Sequence, residues 1–270
     1  MRELRRLLGA KYDFVCGIGP DCGCAGHLIK GRLRRASYPL DWIGSWTLGM
    51  ATLAKIVADD FAGFLKLENL RALPPPPPVD TPEGQLDDRH HDWVGDEATH
   101  LVLPHDFPAG RPLAEAFPAV RAKYDRRIAR FYDTMRASRR TLFVYWTWRN
   151  HPEPDEILRA AEVFRAKFPG RRVDLLVMRH ADAREVDARA IGDGVILVDA
   201  PIHPAGANPA FGDIEFNKRL FGAIRLRGKR LAVLRERLAR LASKAKAAFI
   251  FDKAKRREYR RSQRKSAFHG

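Results

Sequence analysis

Residues 12–31, YDFVCGIGPDCGCAGHLIKG, hold all three cysteines of the 270-residue chain. Residues 12–16 are a short apolar run rich in strand formers, Gly17, Gly19 and Pro20 interrupt it, and Asp21 precedes a segment able to be helical from Cys22. The pattern predicts strand, tight loop, helix. Asp21 is a good N-cap residue, and the first amide N–H groups of such a helix would point at whatever occupies the loop. Cys22 would stand at that helix start, where the dipole and the unpaired N–H groups favour a thiolate over a thiol.

Packing, zinc and phosphate are the alternatives for this stretch. Cys16 lies in the apolar strand and packs as a small hydrophobe. Cys24 follows Cys22 by two residues, about 200° around a helix axis, so it cannot share the same duty. Cys16, Cys22, Cys24 and His27 are ligand types for structural zinc, but no C-x2-C pair is present and a core strand would have to share an ion with a helix. Gly17-x-Gly19 has the start of a dinucleotide fingerprint, with Cys22 where the third glycine would stand.

The length suits one large α/β domain, or one domain plus an extension. There is no apolar run long enough to span a membrane and no secretory leader pattern, and three clustered cysteines make no disulfide framework. A cytoplasmic protein is expected. The formal charge of +16 is concentrated at one end: residues 218–270 carry 19 Lys and Arg against three acidic residues, while residues 1–217 carry 30 basic and 30 acidic. Attraction to anionic partners therefore belongs to the last fifth of the chain.

Along the chain, helix is expected from Cys22 to about Leu33, and Asp41 can cap a buried apolar helix running from Ile43 to Phe61. The five prolines at 74–78 read as a polyproline spacer, followed by a polar loop that includes His90 and His91. Residues 99–103 read as a strand ending before His105, 117–138 as a long basic helix, and 141–148, TLFVYWTW, as the strongest strand. Helix over 154–168, strand over 172–178, short helix over 183–190 and strand over 195–199 complete the body. With residues 12–16 this makes five strands, so the expected fold is α/β, a three-layer sandwich around a mostly parallel sheet, over residues 1–215. Residues 216–270 form the expected basic amphipathic helical extension. In it Leu231, Leu234, Leu238, Leu241, Ala245 and Phe249 share a face.

The run GIGPDC at 17–22, the box PLDW at 39–42, the box HDF at 105–107 and the stretch KYDRRIARF at 123–131 resemble a bacterial family of unknown function grouped with papain-like cysteine peptidases. In that family a Ser-Leu-Gly-x-x-Cys pattern opens the domain. Here Gly17, Ile18 and Gly19 replace its first three residues and Cys22 keeps the cysteine. The resemblance covers residues 12–200 and implies a thiol nucleophile at Cys22 and a histidine partner at His105.

The residues themselves agree on where ligands would bind, because Cys22, His105, Asp199 and His203 are all expected after strand ends. A nucleophilic cysteine needs a base within hydrogen-bond reach and a third group to orient it. His105 is the first choice of base and His203 the reserve. Asp41 or Asp199 is preferred as orienter over Asp106, since neighbouring strand residues point to opposite faces. Gly17, Gly19, Asp21 and Gly23 would shape the loop and the oxyanion site. The expected function is a cysteine-dependent hydrolase or acyl-transfer enzyme, acting on a peptide, amide or ester without metal or cofactor. The alternative is a non-catalytic or nucleotide-sugar-binding module linked to envelope polysaccharide metabolism. For the basic tail an anionic membrane surface is preferred over nucleic acid, because no nucleic-acid-binding motif is present.

Overall fold

The computed structural model describes residues 2–20, 22–45, 47–74, 79–81, 84–86, 90–148, 151–181, 185–201 and 214–228. Within it the most apolar segments make one five-stranded sheet. β2 (Phe14–Gly17), β8 (Arg140–Thr147), β9 (Arg172–Ala181) and β11 (Val195–Pro201) run parallel, and β10 (Asp187–Gly192) closes the edge antiparallel to β11, in the order β10-β11-β9-β8-β2. A strand covered on both sides has no polar face, which is why TLFVYWT reads as a continuous apolar run.

Alternation along these strands divides the interior in two. Phe14, Cys16, Phe143, Tyr145, Leu175, Val177 and Leu197 join a cluster lined by α3 (Met50–Ala58), α4 (Leu113–Ala137) and α5 (Pro154–Lys167). Val15, Leu142, Val144, Trp146, Leu176, Met178 and Ile196 join a second cluster with α1 (Arg2–Gly9), α2 (Cys22–Lys30) and α6 (Ile214–Ala223). Helix ends follow local chemistry. α5 begins at Pro154 with Asp155 and Glu156 in its first turn and ends on Arg165 and Lys167, a charge order that suits the helix dipole.

A separate antiparallel sheet holds β3 (Leu70–Leu73), β6 (His91–Asp96) and β7 (Leu101–Pro108), and its apolar residues Leu70, Val94, Leu101, Leu103 and Phe107 belong to the first cluster. The short strands β1 (Lys11–Tyr12) and β12 (Arg225–Leu226) pair in parallel, and β4 (Val79–Thr81) pairs with β5 (Gly84–Leu86).

Several expectations change. The strand before His105 is longer than expected, contains His105, and lies in the antiparallel sheet; the fifth strand of the main sheet is β10, where a helix was expected. His91 lies in β6, where a loop was expected. The expected helix over 43–61 is confined to α3. The boundary at residue 215 falls inside α6, whose Leu220 and Phe221 are core residues, and Arg227 N–H still donates to the Tyr12 carbonyl at 2.8 Å. The body therefore reaches Gly228. The rest of the expected basic helical extension, like residues 75–78 of the proline run, lies outside the described residues.

Candidate active site

β2 ends at Gly17, and Ile18 N–H still reaches the Val144 carbonyl at 2.9 Å before the chain leaves the sheet. Gly19 has φ +123°, which side-chain-bearing residues rarely adopt, and Leu53, Ser45 and Tyr145 fill the space around it. A Cβ on Gly17 would meet Cys24 Sγ at 3.0 Å. Both glycines thus admit the protein's own side chains where a phosphate cradle would leave room for a ligand. Cys22 opens α2 and is half-buried. Cys24 is buried and its thiol donates to the Val144 carbonyl at 3.4 Å. Cys16 faces the other cluster, where burial, followed by the nearby Asp41 charge, pushes its thiol well above the ordinary value. With Cys16 and Cys24 on opposite faces of β2, the four suggested zinc ligands do not converge. Among the described residues no group of three or more His, Cys, Asp or Glu is arranged for a metal ion.

Two residues tie this loop to the strand of His105. Ser45 N–H donates to the Pro20 carbonyl at 2.7 Å, and Gly44 exchanges two 2.8 Å backbone hydrogen bonds with Val102 on β7. Three residues further along β7, the imidazole of His105 stands edge-on to His91, centroids 6.3 Å apart.

The carboxylates have other partners. Asp41 is 2% exposed; its Oδ2 accepts from Arg34 Nε at 2.7 Å and Tyr38 N–H at 2.7 Å, and burial outweighs these contacts to raise its carboxyl above the usual range. Asp106 is buried against α4, where Tyr124 donates to it at 2.6 Å and Lys123 forms an ion pair with it. Asp199 is held by Arg179 at 2.6 and 2.8 Å and by Arg189 at 2.9 Å. Burial lifts its carboxyl, but the two guanidiniums outweigh that and hold it below the usual range. Three strand spacings, roughly 14 Å, separate β11, which carries Asp199, from β2. Gly23 is the second residue of α2 and is buried. Asp21 and His203 lie outside the described residues.

A buried group at the carboxyl ends of the strands was not anticipated. His27 of α2 and His180 of β9, 2% and 1% exposed, flank Trp146 of β8 with ring centroids 4.8 and 5.1 Å away, and Asn217 of α6 lies 3.4 Å from His27 Nε2. His180 ends the apolar run LLVMRH, and that strand-end position was its signal in the sequence.

The strand, loop and cysteine-headed helix, together with the HDF strand, invite comparison with known families. The model of the family described as "Putative papain-like cysteine peptidase" matches residues 13–183, well over half of the chain. The chain belongs to that family. No curated protein and no solved structure matches it. Membership supports a hydrolase in general terms, and among the described residues no helix is long and apolar enough to cross a membrane.

Proposed function

We propose that the protein is a cysteine-dependent hydrolase or acyl-transfer enzyme in which Cys22 is the nucleophile and His105 the base. The observation that carries this reading is the pair Gly44 and Ser45, which anchors both the Pro20 loop ahead of Cys22 and the β7 strand of His105. Cys22 Sγ would attack an acyl carbon while its proton passes to the His105 imidazole. The oxyanion would lie at the N–H groups that open α2, in the region of Gly23 and Cys24. Collapse would break the C–N or C–O bond and return the proton to the leaving amine or alcohol. Water, deprotonated by the same imidazole, would then cleave the thioester and restore the thiol. Helices lining both apolar clusters support a three-layer α/β arrangement beneath this site.

Alkylation by iodoacetamide at neutral pH, followed by intact mass and peptide mapping, tests the assignment. Cys22 should be modified well before Cys16 and Cys24, and His105→Ala should slow it about tenfold or more. Equal, slow labelling of all three cysteines would remove the enzyme reading.

The basic segment at 229–270 is proposed to hold the protein to an anionic membrane surface on the cytoplasmic side, at about 1 kcal/mol per basic residue near the lipid. In liposome sedimentation at moderate salt, the full chain should bind anionic but not neutral vesicles, and a chain ending at Gly228 should bind neither. Equal behaviour of both chains would remove the tail from this role.

A further inference from the structure

The segment between α2 and α3 returns the chain from the far end of the cysteine-headed helix to the loop ahead of it. α2 closes in a Schellman motif: Leu33 N–H reaches the Leu28 carbonyl and Arg32 N–H the Ile29 carbonyl, both at 2.9 Å, with Arg32 at φ +55°. That motif fixes the direction in which residue 34 leaves the helix. Leu33 belongs to the second apolar cluster and Tyr38 and Leu40 to the first, so the segment passes from one face of the sheet to the other. It ends at Gly44 and Ser45, which hold Val102 of β7 and the Pro20 carbonyl. Cys22 follows Pro20 by two residues.

One buried ion pair closes the middle of this segment. Arg34 Nε donates to Asp41 Oδ2 at 2.7 Å, with the two side chains 7% and 1% exposed. The same guanidinium donates through Nη2 to Ser37 Oγ, and Tyr38 N–H donates to Asp41 Oδ2 at 2.7 Å. From α4, Arg130 Nη1 donates to the Ser37 carbonyl at 2.9 Å. Asp41 thus ties the exit of α2 to the turn at 38–41, three residues ahead of Gly44. After burial, the Cys16 thiol of β2 feels the charges of both Asp41 and Arg34, which puts the pair beside the strand that leads into the Cys22 loop. A planar fork that holds a carboxylate and a hydroxyl at once is geometry a lysine could not reproduce. The PLDW box, which the acyl-transfer steps do not use, supplies that carboxylate.

We propose that Arg34 and Asp41 are a positioning pair for Cys22, holding the 38–45 segment so that Ser45 keeps the Pro20 loop, and with it the thiol, in place; this rests on Cys22 being the nucleophile. The pair acts on the thiol through the backbone and not as the orienter of an imidazole. Asp41→Asn removes the charge and keeps the shape. Asp174→Asn is the control, since it too breaks a buried carboxylate–arginine pairing, but at the amino end of the sheet. In folded protein, Asp41→Asn should lower the neutral-pH rate of Cys22 alkylation about fivefold or more. The midpoint of that rate against pH should rise, because the thiol drifts from the helix N–H groups that favour thiolate. Arg34→Lys should do the same, and the double variant should fall no further. Hydrogen exchange at Ser45 N–H, measured relative to the β8 amides, should quicken in these variants and keep its wild-type ratio in Asp174→Asn. An unchanged Cys22 rate, a slowed rate with Ser45 N–H still protected, or equal slowing in Asp174→Asn would overturn the proposal. If Cys22 of the wild type labels no faster than Cys16 and Cys24, the nucleophile assignment fails, and Ser45 exchange alone then decides whether the pair holds the loop. Should Asp41→Asn not fold, Arg34→Lys carries the comparison by itself.

Discussion

The two ends of the five-stranded sheet are built from different chemistry. At the amino end a single buried carboxylate, Asp174, accepts from Arg140 Nε and Nη2 at 2.8 and 2.6 Å, Arg172 Nε at 2.9 Å and Tyr12 Oη at 3.1 Å. Asp13 beside it accepts from the backbone N–H groups of Arg139 and Arg140 and pairs with Arg227. At the carboxyl end, over β8 and β9, the buried groups are His27, Trp146, His180 and Asn217, with Cys22 at the head of α2. Charge satisfied by opposite charge holds strands in register and has no proton to exchange near neutral pH. Imidazole and thiol are the groups that can exchange one. The amino end is thus held by charge pairs, whereas the carboxyl end adds buried imidazoles and a thiol to the Arg179–Asp199–Arg189 pairs.

The sharpest way to break this contrast is Asp174→Ala. It leaves two guanidiniums and a phenol facing an empty site, and because Arg140 and Arg172 are partly exposed the loss should sit at the low end for a buried pair, about 3 kcal/mol in urea unfolding. Alkylation of Cys22 in the folded fraction should be unaffected; a parallel fall in reactivity would show that the two ends are not separable.

Gly194→Ala attacks the same hub from the backbone. Gly194 has φ +65°, and a Cβ there would lie 2.2 Å from Asp174 Oδ1, so thermal and urea unfolding should show a loss of about 2–3 kcal/mol. A neutral outcome would mean that the hub gives way locally and contributes little.

Asp199→Asn examines an ion pair far from the amino end. The carboxyl is depressed in the folded state, so folding favours its ionised form; its contribution is present above the unfolded value near 4 and is lost as pH falls through the folded one. The variant should lose about 2 kcal/mol at pH 7, a deficit that shrinks as pH falls below about 4. Asp41 has the opposite sign. Burial raises its carboxyl, so its contribution declines as pH rises through that raised value. A pH-independent deficit in Asp199→Asn would point to packing in place of charge.

The smallest expected effect is at Cys22, the proposed nucleophile. Cys22→Ala should change stability by no more than about 0.5 kcal/mol while abolishing thiol chemistry at that position, whereas Cys24→Ala, in the core, should cost about 1 kcal/mol. Equal costs would place Cys22 among the structural cysteines.

What the sequence determined by itself was local. A strand, a glycine turn and a helix headed by Cys22 follow from a few adjacent residues, and β8, α4 and α5 follow from apolar period and end-capping. The sheet's partners were another matter. LVLPHDFP has the composition of a strand wherever it pairs, and only tertiary packing put it beside β6 in a second sheet with a bulge at His105. DARAIG has little intrinsic strand character, yet a hairpin with β11 makes it the fifth strand. In the sequence Asp41 and Asp199 stood ahead of Asp106 as orienters only because neighbouring strand residues point to opposite faces. Which of them would be taken up by Arg34, by Tyr124 and Lys123, or by Arg179 and Arg189 depended on residues 7 to 20 positions away, brought close by folding. Hydrogen bonding and hydrophobic periodicity act between neighbours and can be read along the chain. Strand pairing and the neutralisation of buried charge act across it, so tertiary structure alone could decide them.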